Sequence, residues 1–86
     1  MNRIALPWKI ITNVYNNHVM TRLDLSGTFV ASASEISRDI YIFRVFNYVY
    51  HKNFSTLNLA MEAADAKLVS MKYRLINGTD PVASMI

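Results

Sequence analysis

The stretch of this chain that decides its fold covers residues 54–78 and reads FSTLNLAMEAADAKLVSMKYRLING. Apolar residues recur in it at alternating spacings of four and three, which is the period of one face of an α-helix. Asn53 or Ser55 can cap the N-terminus of such a helix, and Asn77-Gly78 can cap its C-terminus. The pattern predicts a helix over about residues 55–76 and a loose tail over residues 79–86. The residues of the predicted core face are Leu57, Met61, Ala64, Leu68, Met71 and Leu75.

The chain before this helix has the patterns of β-strands. Residues 8–15 are rich in β-branched and aromatic side chains, and residues 18–25 alternate between apolar and polar ones. Asn16-Asn17 lies between them, and asparagine tolerates the left-handed backbone of a tight hairpin. Ser26-Gly27 is a turn signal, and residues 28–32 predict a third strand.

Residues 33–50 carry two conflicting signals. Ser32-Ala33-Ser34-Glu35 matches a capping box, which would start a helix. Residues 40–50, however, are almost all β-branched or aromatic, which favours a long strand. We therefore predict a loop or a single turn at 33–38 and one strand over 39–50. This strand is apolar on both faces and one helix covers only one of them, so we expect the other face to meet a partner.

These elements predict a single α+β domain over residues 1–86. It has a small antiparallel sheet of three to four strands, followed by one C-terminal α-helix packed on one face. The chain has no cysteine, which excludes disulfides and thiolate metal sites. Its N-terminus lacks the apolar run of a signal peptide, and no apolar run approaches the ~20 residues that span a bilayer. We expect a cytoplasmic protein without a membrane partner, in the host cytoplasm if a phage encodes it.

The sequence offers little support for catalysis. His18 and His51 lack the spacing of metal ligands, and no two acidic residues stand out as an acid–base couple. The two glycines form no phosphate-binding loop, and the serines lack the context of a nucleophile elbow. We therefore expect no enzyme, no metal and no cofactor.

Basic residues are interleaved with aromatic ones on the predicted strands. Such a surface can grip phosphates and stack bases. The aromatic rings can equally pack against the helix and leave the cations as solubilising charges. The net charge of +3 is a weak electrostatic footprint for a nucleic-acid binder. The candidate partner-binding residues are Lys9, Arg22, Arg44, Tyr48, Tyr50 and Lys52.

Two resemblances accompany these patterns. Phe54-Ser55-Thr56, with Ala60, Ala63 and Asp65 after it, resembles the helix of ethylene-response-factor-type DNA-binding domains, although Ala64 stands where that family has tyrosine. This resemblance implies strands followed by a helix, but the strands here lack the family's Gly-rich, Arg/Trp-rich DNA-reading pattern. If DNA were read, Lys9, Arg22 and Arg44 would be the candidate contacts. The compact, cysteine-free chain is also similar in kind to small inhibitors from phages and mobile elements, such as anti-CRISPR proteins.

We therefore expect a non-enzymatic interaction protein, of the phage-inhibitor (anti-CRISPR-like) type. It would bind a protein or nucleoprotein complex and block it sterically. A homodimer through the same surface fits the pattern equally well. The alternative is a small DNA- or RNA-binding domain that uses a basic and aromatic sheet face.

Overall fold

The computed structural model describes residues 3–12 and 18–77 of the chain. Within these residues, one helix follows six strands and a short strand follows the helix. The α+β class, with the helix near the C-terminus, is confirmed. The elements are β1 (Arg3–Ala5), β2 (Lys9–Thr12), β3 (His18–Leu23), β4 (Phe29–Ser37), β5 (Ile40–Val45), β6 (Tyr48–Phe54), α1 (Leu57–Ser70) and β7 (Tyr73–Leu75).

Strands β2 to β6 form one antiparallel sheet in sequence order, β2-β3-β4-β5-β6. The sheet has five strands rather than three to four. Strands β1 and β7 make a separate parallel pair, in which Arg3 lies opposite Tyr73 and Ala5 opposite Leu75. Of the predicted segments, residues 13–15 and the tail over 79–86 lie outside the described part of the chain.

The predicted single strand over residues 39–50 is two strands. A two-residue turn at Phe46-Asn47 separates β5 from β6, and Val45 pairs with Tyr48 across it. Phe46 has a φ of 52°, a left-handed conformation that is uncommon for an aromatic residue. Its ring lies 5.9 Å from that of Tyr73, and this packing offsets the backbone cost. Asn47 is a turn-forming residue type, but a single asparagine in a run of aromatic and β-branched residues was outweighed by the strand pattern.

Strand β4 also differs from the prediction, since it continues through residues 33–37, where a loop was expected. Ala33 is buried beneath the helix, and its small side chain lets the two elements approach closely. The chain reverses at Arg38-Asp39 instead. There the Asp39 backbone N–H donates to the Glu35 carboxylate at 3.3 Å, so the acid of the apparent capping box closes a β-turn.

Helix α1 is shorter than predicted at its C-terminal end. Thr56 caps its start, because its hydroxyl accepts a hydrogen bond from the Leu59 N–H at 3.2 Å, so the predicted caps Asn53 and Ser55 are wrong. The helix ends at Ser70, and Lys72 adopts a φ of 71° just after it. Residues 73–75 then leave the helix direction to pair with β1. The predicted cap at Asn77-Gly78 is therefore wrong, and Gly78 lies outside the described residues.

The core lies between α1 and the centre of the sheet. Ala60, Ala64 and Leu68 are buried on the helix. The other predicted core positions, Leu57, Met61, Met71 and Leu75, are partly buried against the same cluster. The sheet contributes Ala31, Ala33, Phe43 and Val45 from β4 and β5. Within the described residues, no helix has the length and apolar character needed to cross a membrane.

Candidate functional site

Arg22, a predicted partner-binding residue, is a buried structural residue. Its side chain is 1% exposed, and its Nε donates to Asp65 of α1 at 2.8 Å. Its Nη1 donates to the carbonyls of Leu6 at 2.8 Å and Ile76 at 2.9 Å. The indole ring of Trp8 lies 5.1 Å from the guanidinium. Arg22 therefore joins β3 to the helix and to both flanks of the β1–β7 pair, and it cannot reach an external partner.

Lys9 and Arg44 lie on the sheet face opposite α1, which we call the open face. One residue of each strand forms a row across this face, and the row consists of Lys9, Thr21, Ser32, Arg44 and Val49. Arg44 is exposed, and its Nε donates to the Phe46 carbonyl at 2.7 Å. Its guanidinium lies 5.1 Å from the ring of Phe29. The two cations sit at separate strands with small hydroxyl residues between them.

The single strand predicted over residues 39–50 would place Arg44 and Tyr48 on the same face, because side chains two positions apart point the same way. In the structure Tyr48 and Tyr50 lie on the helix side of β6, and Arg44 lies on the open face. The turn at Phe46-Asn47 instead places Val49 opposite Arg44 and Tyr48 opposite Val45. The predicted basic and aromatic residues are consequently divided between two faces of the sheet.

The rings of β6 differ in exposure. Tyr50 stacks on Phe43 with ring centroids 4.5 Å apart and planes inclined by 8°. Tyr48 is 71% exposed, although Phe46 and Tyr50, two residues to either side of it, pack against the core. Lys52 is exposed, and its ammonium group lies 5.7 Å from the ring of Phe54. A tyrosine this exposed beside a packed aromatic pair is typical of an interface, because its apolar ring can pack against a partner while its hydroxyl stays hydrated.

A cleft of about 370 Å³ lies between β6 and the C-terminal half of α1. We call it the β6 cleft, and its lining residues are Val45, Tyr48, Tyr50, Lys67 and Met71. The ammonium group of Lys67 lies 5.6 Å from the Tyr50 ring, so the cleft combines one cation with an otherwise apolar and aromatic lining. The sequence predicted the two tyrosines but not Lys67 or Met71, because a solvated helix lysine and a core methionine have no distinguishing pattern.

Strand β6 is an edge of the five-stranded sheet. The Phe46 N–H donates to the Val30 carbonyl of β4 at 2.9 Å. Backbone groups alternate in direction along an antiparallel strand, so those of Val45 point to Tyr48 and form the hydrogen-bonded pair that closes the turn. The next residue of β6, Val49, therefore directs its N–H and C=O away from β5, towards the free edge.

A second hollow of about 200 Å³ lies at the other side of the helix. Its lining includes Trp8, Glu62 and the Arg22–Asp65 pair, and the Trp8 Nε1–H donates to Asp65 at 3.2 Å. Trp8, Arg22 and Asp65 are thus already engaged with one another in the ion pair that joins the helix to β3. In the part of the chain that the structure describes, no three His, Asp or Glu side chains come together as a metal site would require.

Two titratable side chains outside these hollows have shifted pKa values. The Ser26 hydroxyl and the Thr28 backbone N–H donate to the Asp24 carboxylate at 2.6 and 2.9 Å, and they lower the pKa of Asp24 below 3.8. The negative charge of Glu35 raises the pKa of the Tyr41 hydroxyl above its usual value of 10.0. Neither residue lines the β6 cleft.

Comparisons with models of protein families, with curated proteins and with solved structures give no significant match to this chain. The function must therefore be argued from the geometry of the chain itself.

Proposed function

We propose that this chain is a non-enzymatic interaction protein that binds a macromolecular partner at the β6 edge of its sheet. The observation that carries the proposal is the combination of a seven-residue edge strand that no other described strand pairs on its outer side, an exposed Tyr48 and an adjoining apolar cleft. A chain of 86 residues that occupies a partner's surface excludes whatever else that surface binds. Steric inhibition of a larger assembly is therefore the mode of action that we assign to it.

The edge strand supports this proposal because an unpaired edge is a template for another chain. Soluble proteins usually blunt such edges with short strands, bulges or charges. In β6 the residues next to the turn are Tyr48 and Val49, and both are exposed and uncharged. The features that do protect the strand, Lys52 and the irregular pairing between Tyr50 and Phe54, lie further along it.

The proposal can be tested by photo-crosslinking in an extract of the cells in which the chain acts. A benzophenone amino acid replaces Tyr48 in one variant and Ile36 in a control. Ile36 is also an exposed apolar residue, 55% exposed, but it lies at the opposite end of the sheet. We expect a discrete crosslinked product from position 48 and none from position 36. Equal labelling from both positions, or no product from position 48, would refute the proposal.

A second candidate function is nucleic-acid binding through the open face. The observation that favours it is the pairing of Arg44 with the Phe29 ring on a face that also carries Lys9. The burial of Arg22 removes one of the cations on which this alternative depended.

Fluorescence anisotropy with labelled single-stranded and duplex oligonucleotides at low salt tests this second function. If it holds, affinity falls steeply as salt rises, and Arg44→Glu weakens binding more than Arg38→Glu does. Arg38 is a matched control because it is exposed in the β4–β5 turn, at the other end of the strand. An absence of binding to either oligonucleotide would eliminate this function.

A further inference from the structure

We infer that the partner supplies an extended, acidic peptide segment, which adds to β6 as a sixth strand and places an apolar side chain in the β6 cleft. This inference rests on the proposed function and specifies the chemistry of the partner. It is carried by the direction of the Val49 backbone, the shape of the cleft and the distribution of charge around it.

The backbone of Val49 provides the hydrogen bonds for strand addition. Its N–H and C=O point to the free edge, whereas those of Tyr48 and Tyr50 are directed to β5. In strand addition, such main-chain groups supply affinity while pockets for alternate side chains supply specificity. The exposed side chain of Val49 adds apolar surface beside these groups.

The β6 cleft lies on the helix side of the same strand, where alternate side chains of an added strand would project. Its volume of about 370 Å³ is within the ~300–1,000 Å³ typical of ligand pockets. Val45, Met71 and the ring of Tyr50 make most of its wall apolar, and methionine adapts its shape to an incoming group. The cleft therefore suits one large apolar side chain from the added segment.

Charge complementarity favours an acidic segment. Lys67 lines the cleft, exposed Lys72 follows the lining residue Met71, and the Arg3 guanidinium donates to the Met71 carbonyl at 2.9 Å. None of the residues that line the cleft is acidic. The acids of the helix, Glu62 and Asp65, instead line the hollow on its other side. A segment with carboxylates beside its apolar anchor would meet only cations here.

A second copy of the chain fits this edge less well. Both edge strands of the five-stranded sheet, β2 and β6, carry one lysine and no acidic residue. Pairing between any two of these edges would leave Lys9 or Lys52 without an acidic neighbour and would bring like charges closer. Edge lysines are a common means of preventing such self-pairing.

Selection from a phage-displayed library of random 12-residue peptides on the immobilised protein tests the inference. We expect the enriched peptides to alternate apolar residues with Asp or Glu. Val49→Pro should weaken their binding about tenfold or more, because proline removes the edge-facing N–H and leaves the bonds to β5 in place. Val49→Ala, which keeps that N–H, should weaken it about threefold or less. Lys67→Glu should also weaken it about tenfold, and Arg38→Glu should not.

Hydrogen exchange on the unaltered protein tests the same point without relying on the folding of the proline variant. The Val49 amide should exchange fast in the free protein and become protected when an enriched peptide binds. Protection of the Tyr48 and Tyr50 amides should change little, because they already bond to β5.

Three results would overturn the inference. One is a selection that enriches no peptide or only basic ones, and another is peptide binding that leaves Val49 exchange unchanged. The third is a stable dimer in light scattering that Val49→Pro converts to a monomer, which would assign the edge to a second copy. Crosslinking from position 48 to a partner would still support the proposed function after either of the first two results.

Discussion

Replacement of Asp65 by alanine should strongly destabilise the fold, because it leaves the buried guanidinium of Arg22 without its carboxylate. Two contacts join these side chains, at 2.8 Å from Nε and 3.3 Å from Nη2. The same carboxylate also accepts from the Trp8 indole at 3.2 Å. One substitution therefore removes the shared acceptor of a buried cation and of a half-buried ring.

The magnitude follows from burial. Removing one partner of a buried ion pair typically costs about 3–5 kcal/mol. The Asp65 side chain is 26% exposed, so water can partly replace it, and Arg22 keeps the carbonyls of Leu6 and Ile76 as acceptors. We therefore expect Asp65→Ala to lower the free energy of unfolding by about 2–3 kcal/mol. In a domain of this size that corresponds to a fall of roughly 10–20 °C in Tm.

Chemical denaturation followed by tryptophan fluorescence measures this loss, and Trp8 is the single tryptophan of the chain. Asp65→Asn keeps an acceptor but loses the charge, so it should cost about half as much. Glu62→Ala is the matched control, an exposed acid one turn earlier that should change stability by less than about 0.5 kcal/mol. If Asp65→Ala behaves like Glu62→Ala, the Arg22–Asp65 pair does not hold the layers together as we argue.

Three further predictions concern local features. Lys72→Gly should raise the free energy of unfolding by about 0.5–1 kcal/mol, because glycine adopts the φ of 71° without the cost borne by a side chain; a loss in urea denaturation would contradict this. Leu68→Ala should cost about 2–5 kcal/mol in the same assay, since Leu68 is fully buried between helix and sheet. The lowered pKa of Asp24 means that its carboxylate stabilises the fold above pH 3.8 and that this contribution is lost as pH falls through the folded-state value. The Tm difference between the wild type and Asp24→Asn should thus be constant near neutral pH and shrink below about pH 4; a difference independent of pH would refute it.

The features that the sequence predicted well are those set by neighbouring residues. The start of α1 could be predicted to within two residues, although the cap is Thr56 rather than Asn53 or Ser55. The end of the helix could not be predicted in this way. Lys72 occupies the left-handed position after the helix, where a glycine usually marks the helix end in a sequence. What replaces the predicted last turn is a pairing between residues 3–5 and 73–75, and contacts so distant in sequence leave no local pattern.

Strand β3 shows why the site was only partly predictable. Its alternation is clean, but the apolar set with Val19 and Leu23 lies on the open face, while Arg22 points towards the helix. The helix sits mainly over β4 and β5, so it reaches β3 through Asp65 rather than through apolar packing. An arginine on the inner face is then stable, although alternation alone assigns it to solvent. The tyrosines of β6 could be named as candidates because aromatic residues near a strand end are visible in sequence, but the face on which they lie depends on the turn at Phe46-Asn47, which was not predicted.

The parallel pairing of β1 with β7 should make the two strands unfold together in local opening events. Arg22 donates to the carbonyls of Leu6 and Ile76, each just beyond one of these strands, and the Ile76 N–H donates to Ala5 at 2.9 Å. Loss of either strand would strip acceptors from the same guanidinium, so neither can fray without weakening the other. Residues 3–6 and 73–76 should thus behave as one cooperative unit, whose hydrogen-bonded amides show a common free energy of opening in deuterium exchange despite about 70 intervening positions.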